Sequence, residues 1–299
     1  MRTYLECIPC FVRQGLEALR EVCPDEGRID RILRRVLTEI AGFEPAQSPP
    51  ELARAIHGLI RRELGDTDPY LRIKQRSTRQ ALEVMPEVRR RIERSDRPFH
   101  AAVRFAVAGN ILDFALAGLW HPDRLGETLA RAESQPMDEA AVDRLERAVT
   151  GAGTILWLAD NAGETVFDRL LIERLSGPRV VYAVKGGPII NDATLADARE
   201  AGLDRVADLV DNGSDAPGTV LSLCSDRFRE AFARADLVIA KGQAQFETLN
   251  EADREVHFLT QIKCPVIGRH HGYAVGDWVV TTTTAMALRR RSQQRGGDA

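Results

Sequence analysis

The sequence predicts an α/β fold: a mostly parallel sheet with helices on its faces, preceded by an N-terminal helical region. Three observations predict it. Residues 1–150 repeat apolar side chains at three- and four-residue spacing, the helical period. From Gly151 onward short apolar runs alternate with amphipathic stretches, the pattern of strands joined by crossover helices. A polar turn follows nearly every one of those runs, at the edge where open parallel sheets bind ligands. The expected division is a helical domain over 1–150 and an α/β domain over 151–299.

In the first part, "CFVRQGLEALREV" and "IDRILRRVLTEIAGF" read as amphipathic helices. "SPPELARAIHGLIRREL" starts another, because Ser48 and the prolines after it suit a helix's first turn. "DPYLRIKQRSTRQALEVMPEVRRRIE" continues the period, with Pro86 predicting a break or kink. "FHAAVRFAVAGNILDFALAGLW" is apolar enough for a buried helix. The runs that follow, "TILWLAD", "RVVYAVKG", "DRVADLVDNG", "DLVIAKG", "CPVIG" and "DWVVTT", read as strands. The tail "RRRSQQRGGDA" is polar and predicts frayed chain.

Composition narrows the function. The chain has 299 residues, 44% apolar and 28% charged, ordinary values for a soluble globular protein. Its 41 basic residues nearly balance 44 acidic ones, which argues against a nucleic-acid partner. No apolar stretch is long enough for a membrane span, and "MRTYLECIPC" lacks the apolar core of a signal peptide; a cytoplasmic location is expected. Five cysteines in so long a chain do not suggest a disulfide framework. Lysine is scarce: Lys74, Lys185, Lys241 and Lys263 are the whole set. Where arginine fills most basic positions, a retained lysine points to a place that needs a compact ammonium.

The chemistry-bearing residues fall after the strands. Asp160-Asn161 follows the first. Lys185-Gly186-Gly187, then Asn191-Asp192, follow the second. Asp211-Asn212-Gly213-Ser214 follows the third, and Lys241-Gly242-Gln243 the fourth. Carboxylate and carboxamide oxygens suit a hard divalent cation. Glycine turns and lysine suit a phosphate. Asn161 with Glu164 also reads as a capping box, and Asp-Asn is ordinary turn chemistry. Asn110 and Asp113, three apart on the apolar helix, either staple the helical part to the sheet or line the cleft. Cys7-Ile8-Pro9-Cys10 has the spacing of half a zinc site or of a redox pair, and equally of packing thiols; Cys264 or Cys23 would have to complete a thiolate cluster. "GAGTIL" places its glycines before the strand, against a dinucleotide fingerprint. His270-His271 lacks companions at zinc-site spacing.

Taken in order, "ECIPC", "DPYLRIK", "AGNILDF", "LADNAGETVFD", "KGGPIINDAT", "GSDAPGT", "ADLVIAKGQ" and "KCPVIG" resemble the metal-dependent damage-control phosphatases, in the prokaryotic branch with an N-terminal CxxC. The likeness covers nearly the whole chain. It implies an α/β/α sandwich, a divalent metal (Mn²⁺, Co²⁺, Ni²⁺ or Mg²⁺) and hydrolysis of small phosphomonoesters such as sugar phosphates or damaged phosphometabolites. Carried over, the metal ligands are Asp160, Asn161 and Asp192. Lys241, Gly213 and Ser214 are expected near the phosphate, together with Lys185 and Gly242 of the same edge. Asn110 and Asp113 match the family's GNxxD helix. Apart from the resemblance, Glu164 is a candidate proton acceptor, a role with which its place in the capping box competes. The sequence departs from the family at "KGQAQFE", where Ala244 and Gln245 replace the usual Gly-Asn. Two other readings remain: a carboxyl methyltransferase, and a non-catalytic metal- or phosphometabolite-binding sensor.

Overall fold

A computed structural model describes residues 1–119 and 122–296, and side chains over 1–109 and 127–289. Helices come first: α1 (Cys7–Val22), α2 (Glu26–Ala41), α3 (Pro49–Leu64), α4 (Leu71–Arg94), α5 (Pro98–Leu119), α6 (Pro122–Ser134) and α7 (Glu139–Gly151). Local chemistry sets their ends. Asp25 caps α2 by accepting the Arg28 N–H at 3.0 Å. Ser48 and Glu51 form a capping box on α3, prolines occupy its first turn, and Gly65 ends it in the left-handed region at φ 65°. Pro86 does not break α4, which runs through it from Leu71 to Arg94. Ala81, Val84, Val88 and Ile92 are all buried in one core, and their burial outweighs the roughly 3 kcal/mol that an interior proline costs.

The sheet has six strands, β1 (Thr154–Leu158), β2 (Arg179–Val184), β3 (Asp208–Asp211), β4 (Leu237–Lys241), β5 (His257–Gln261) and β6 (Trp278–Thr282). Their spatial order is β3-β2-β1-β4-β5-β6. All neighbours are parallel except β5 and β6. Helices α8 (Thr165–Ile172), α9 (Leu195–Glu200), α10 (Asp226–Arg234), α11 (Gln243–Leu249) and α12 (Pro265–His271) connect the strands, and α13 (Thr283–Gly296) closes the chain. "CPVIG" is therefore a helix start, not a strand: Pro265 occupies the first helical position and Cys264 is the extended cap. The strand on that side is "HFLTQ", whose polar ends masked it.

Alternation along the strands builds three layers. Ile155, Trp157, Tyr182, Val184, Ile239 and Leu259 face a core shared with α4, α5, α7 and α8. Leu156, Leu158, Ala183, Val238, Ala240 and Phe258 face the opposite core, with Phe228 of α10, Phe246 of α11 and Ile267 of α12. The result is an α/β/α sandwich. A third core holds only residues of α1–α3 and their neighbours. Two arginines of α3 tie that bundle to the sheet: Arg54 and Arg61 both pair with Asp215, and Arg61 also donates to the Pro188 carbonyl. Among the described residues no helix is long and apolar enough to cross a membrane.

Candidate active site at the switch point of the sheet

The chain leaves β1 toward β2 on one side and returns beside β1 as β4. Crevices open at such reversals, beyond the carboxyl ends of the strands. Asp160 and Asn161 leave β1 at this point, and Lys241 and Gly242 end β4. The segment after β2 folds back to meet them: Asn161 and Asp192 form an isolated bridge, and the Ala193 N–H donates to the Asp160 carbonyl at 2.8 Å. Thirty residues of chain are thus closed into one cluster. Ile190, two residues before Asp192, holds φ 45°. That conformation is costly for a β-branched side chain, on the order of 1–3 kcal/mol, and such strain gathers at functional sites.

Every polar side chain in the cluster is buried. The Asn161 amide donates to Glu164 Oε1 at 2.7 Å and to Asp160 Oδ2 at 3.4 Å. Its side chain therefore orients carboxylates instead of capping a backbone N–H, and α8 begins only at Thr165. Lys241 Nζ lies 2.7 Å from Asp168 Oδ1 and 3.3 Å from Glu164 Oε2. Trp157 Nε1 and the Tyr182 hydroxyl both donate to Asp168 Oδ2, at 3.1 and 2.8 Å. Lys185 donates to the Gly218 carbonyl and stands 3.4 Å from Asp192 Oδ1, a buried atom that makes no hydrogen bond.

Acidic and basic groups in this cluster are not matched. Four buried carboxyl groups (Asp160, Glu164, Asp168, Asp192) face two buried ammoniums (Lys185, Lys241), an excess of two acidic groups by formal count. Burial, then the charges of Glu164 and Asp192, push the Asp160 carboxyl well above its usual range, with Lys263 and Lys185 opposing. Burial pushes Asp192 up to about 6 against the pull of Lys185. Burial alone would lower the Lys241 pKa, but Asp168 and Glu164 raise it above the ordinary lysine value. A divalent cation would balance such a set of carboxyl groups, and its oxygen donors, with only the Lys185 ammonium at 3.4 Å beside Asp192 Oδ1, suit a hard ion. Among the described residues, the His/Cys/Asp/Glu group whose three ligand atoms lie within 4.8 Å of one another is elsewhere, at His100, Asp143 and Glu146. Its histidine already bonds Glu139 at 2.5 Å and Asp143 at 2.9 Å, with Arg97 beside it.

A cavity of about 570 Å³ opens over the cluster. Asp160, Asn161, Asn191 and Asp192 line one end. Cys7, Cys10 and Phe11 of α1, Pro49 and Ala53 of α3, and Lys263 close the rest. Gly213 and Ser214 do not line it. Their N–H groups donate to Asp211 and Asn212, at 3.0 and 2.9 Å, and the loop they form presses on Gly186, where a Cβ would meet Gly213 Cα at 2.6 Å. Asn110 and Asp113 belong to α5, but their side chains lie outside the described residues. Gly109, just before them, packs so closely that a Cβ would meet Phe167 at 2.9 Å and Glu164 at 3.4 Å.

Gly242 is fixed by the site itself. It holds φ 85°, and a Cβ there would lie 1.9 Å from Asp160 Oδ2. Gly242→Ala is expected to displace that carboxylate and to destabilise the fold by about 2 kcal/mol or more. Metal-induced thermal shifts and denaturant melts, run on the variant and the parent, check both effects.

Comparisons with known proteins give the family. Residues 3–279 match the family model described as the damage-control phosphatase ARMT1-like domain. The chain belongs to that family. Membership identifies it as an enzyme, a phosphatase. It is 34% identical over 278 residues to a damage-control phosphatase of Pyrococcus horikoshii, covering 90% of this chain and 94% of the relative. It is 32% identical over 283 residues to a damage-control phosphatase of Archaeoglobus fulgidus, with 91% and 96% covered. The crystal structure of a DUF89 family protein from Pyrococcus horikoshii superposes with a TM-score of 0.87 at 31% identity, over 95% of this chain and 99% of that one.

One residue of the cluster escaped the sequence reading. Asp168 stands four residues after Glu164, on the same helical face, and that spacing was a usable signal. Lys263, which the sequence marks only as one of four retained lysines, lines the cavity.

Proposed function

We propose that this phosphatase hydrolyses small phosphomonoesters in a divalent-metal-dependent reaction at the end of the cavity where Asp160, Asn161 and Asp192 meet. The observation that carries this reading is the excess of buried carboxyl groups over ammoniums, with Asp160 and Asp192 opening onto that cavity. Asp160, Asn161 and Asp192 would hold the cation, with manganese, cobalt, nickel or magnesium as fitting ions. Bound there, a divalent cation polarises a phosphoryl oxygen and makes a neighbouring water more acidic.

The chain's own groups do the rest. Lys263 meets the phosphate's charge from the cavity wall. Asn161 and Lys241 orient Glu164, whose carboxylate accepts the proton of the attacking water. Lys185 partly neutralises Asp192 and stays clear of the reacting atoms. Ser214, Gly213 and Gly242 shape the turns that hold Lys185 and Asp160 in place. A cavity of this size admits a sugar phosphate or a comparable small phosphorylated metabolite with room for water. A cytoplasmic location belongs to the same reading, supported by near-balanced charge and unlinked cysteines.

The test is phosphate release from a panel of sugar phosphates and nucleotides, with each metal in turn and with chelator. Metal-dependent turnover of at least one monoester is expected. Methyl transfer from S-adenosylmethionine without metal, or ligand binding without turnover, would overturn the proposal. A companion measurement needs no substrate: saturating Mn²⁺ should raise the melting temperature by several degrees, since binding at a hundred times Kd contributes about 2.7 kcal/mol.

A further inference from the structure

The first turn of α1 lines the same cavity as the carboxylates, through both Cys7 and Cys10. Residues three apart on an α-helix have Cα atoms about 5 Å apart, inside the roughly 4.4–6.8 Å range that a disulfide spans. We infer that Cys7 and Cys10 are a dithiol–disulfide couple built into this part of the cavity lining, oxidised by low-molecular-weight disulfides that enter the cavity. The inference goes beyond the phosphatase reading and does not depend on it.

The two sulfurs have different surroundings. Cys10 is half-buried, and its sulfur accepts from Gln14 Nε2 at 3.4 Å, with the Arg13 guanidinium 3.9 Å away. It is the sulfur that a small oxidant reaches. Cys7 is buried, and burial holds its thiol neutral, with the charges of Cys264, Glu247 and Cys10 adding to the effect. The order of events follows. The Cys10 thiolate attacks the small disulfide, forming a mixed disulfide and releasing one thiolate. Cys7 then gives up its proton and attacks the Cys10 sulfur, expelling the second. Two protein thiols lose two electrons and two protons, and one small disulfide becomes two small thiols. The link draws the Cys10 sulfur away from Gln14 and reshapes this part of the cavity lining.

The remaining cysteines are placed differently. Cys23 shares the helical core with Cys7 but lies at the far end of α1, and Cys224 is buried in a core of the sheet; their thiols donate to the Asp25 and Val220 carbonyls. Cys264 lines the cavity from α12, on a separate element. A preformed thiolate metal site is a poorer fit: among the described residues no three ligand atoms that include these sulfurs come within 4.8 Å of one another.

The test incubates the full chain in graded mixtures of reduced and oxidised glutathione. The samples are alkylated under denaturing conditions, digested and weighed. Five alkylated thiols are expected at the reducing end and three at the oxidising end, with a two-hydrogen mass loss confined to the peptide carrying Cys7 and Cys10. Added reductant should restore all five. Cys264→Ser should show the same transition, whereas Cys7→Ser and Cys10→Ser should each lack it. Five alkylated thiols at every ratio, or a link that includes Cys264, overturns the inference, and both readings come from the parent protein whether or not the variants fold.

Discussion

Asp160→Asn is expected to lower kcat/KM for a phosphomonoester by about a thousandfold, on the order of 4 kcal/mol in transition-state terms, and to raise the melting temperature of the metal-free protein. The two effects have one cause. Asp160 sits in a pocket where burial and its neighbours Glu164 and Asp192 all disfavour the charged form. A carboxyl whose folded pKa is raised costs stability above that pKa, and the cost disappears as pH falls toward the unfolded value. Asparagine keeps the shape, so the close approach to Gly242 survives, but it removes a carboxyl whose charged form the pocket disfavours. For Asp192, raised from 3.8 to about 6, the same linkage predicts that the metal-free protein gains on the order of 3 kcal/mol as pH falls from 7 to below 4. Metal should cancel the gain in the parent and have no effect on the Asp160→Asn melt. A variant that loses both activity and metal-free stability would show that Asp160 holds the fold together instead of straining it.

The layers of this fold were legible because period and polarity agree along most of the chain. β1, β2 and β4 are short apolar runs followed by polar turns, and α3 carries serine, proline and glycine at the places its ends require. Asp160, Asn161 and Asp192 could be placed on one edge from sequence because a parallel sheet delivers every strand's carboxyl end there; the family resemblance is what singled them out among the polar residues of that edge. What the sequence could not supply is which polar groups already hold each other. Lys241 and Lys185 read as free ammoniums beside a phosphate, but each is engaged with buried carboxylates. Gly213 and Ser214 read as phosphate donors, but their N–H groups are committed to Asp211 and Asn212. Such pairings arise from chain segments up to 77 residues apart, and no local pattern encodes them. The "CPVIG" error has a different origin: a proline before β-branched residues opens a helix or a strand equally well, and only the packing of Ile267 against the second core decides.

Lys241→Met is expected to be the most destabilising single change in the site, by about 3–5 kcal/mol, because it leaves Glu164 and Asp168 buried without their counter-charge. The methionine has nearly the same length, so little volume is lost and the effect isolates the charge. Asp168 is already raised by burial, with Lys241 the main opposing influence. Without that influence its folded pKa climbs further, so the variant's deficit should be greatest at pH 7–8 and should shrink as pH falls and the carboxyl takes up a proton. Lys241→Met combined with Asp168→Asn should recover much of the loss, since the pair is removed together and Trp157 and Tyr182 still find an oxygen to bond. Urea melts of the parent, both single variants and the double variant, at two pH values, give the coupling energy directly. Activity separates the roles: if Lys241 acts by orienting Glu164, the stabilised double variant should remain impaired in kcat with KM little changed, because Glu164 has lost its donor. Full recovery of both stability and kcat would make Lys241 a structural counter-ion to Asp168 and nothing more.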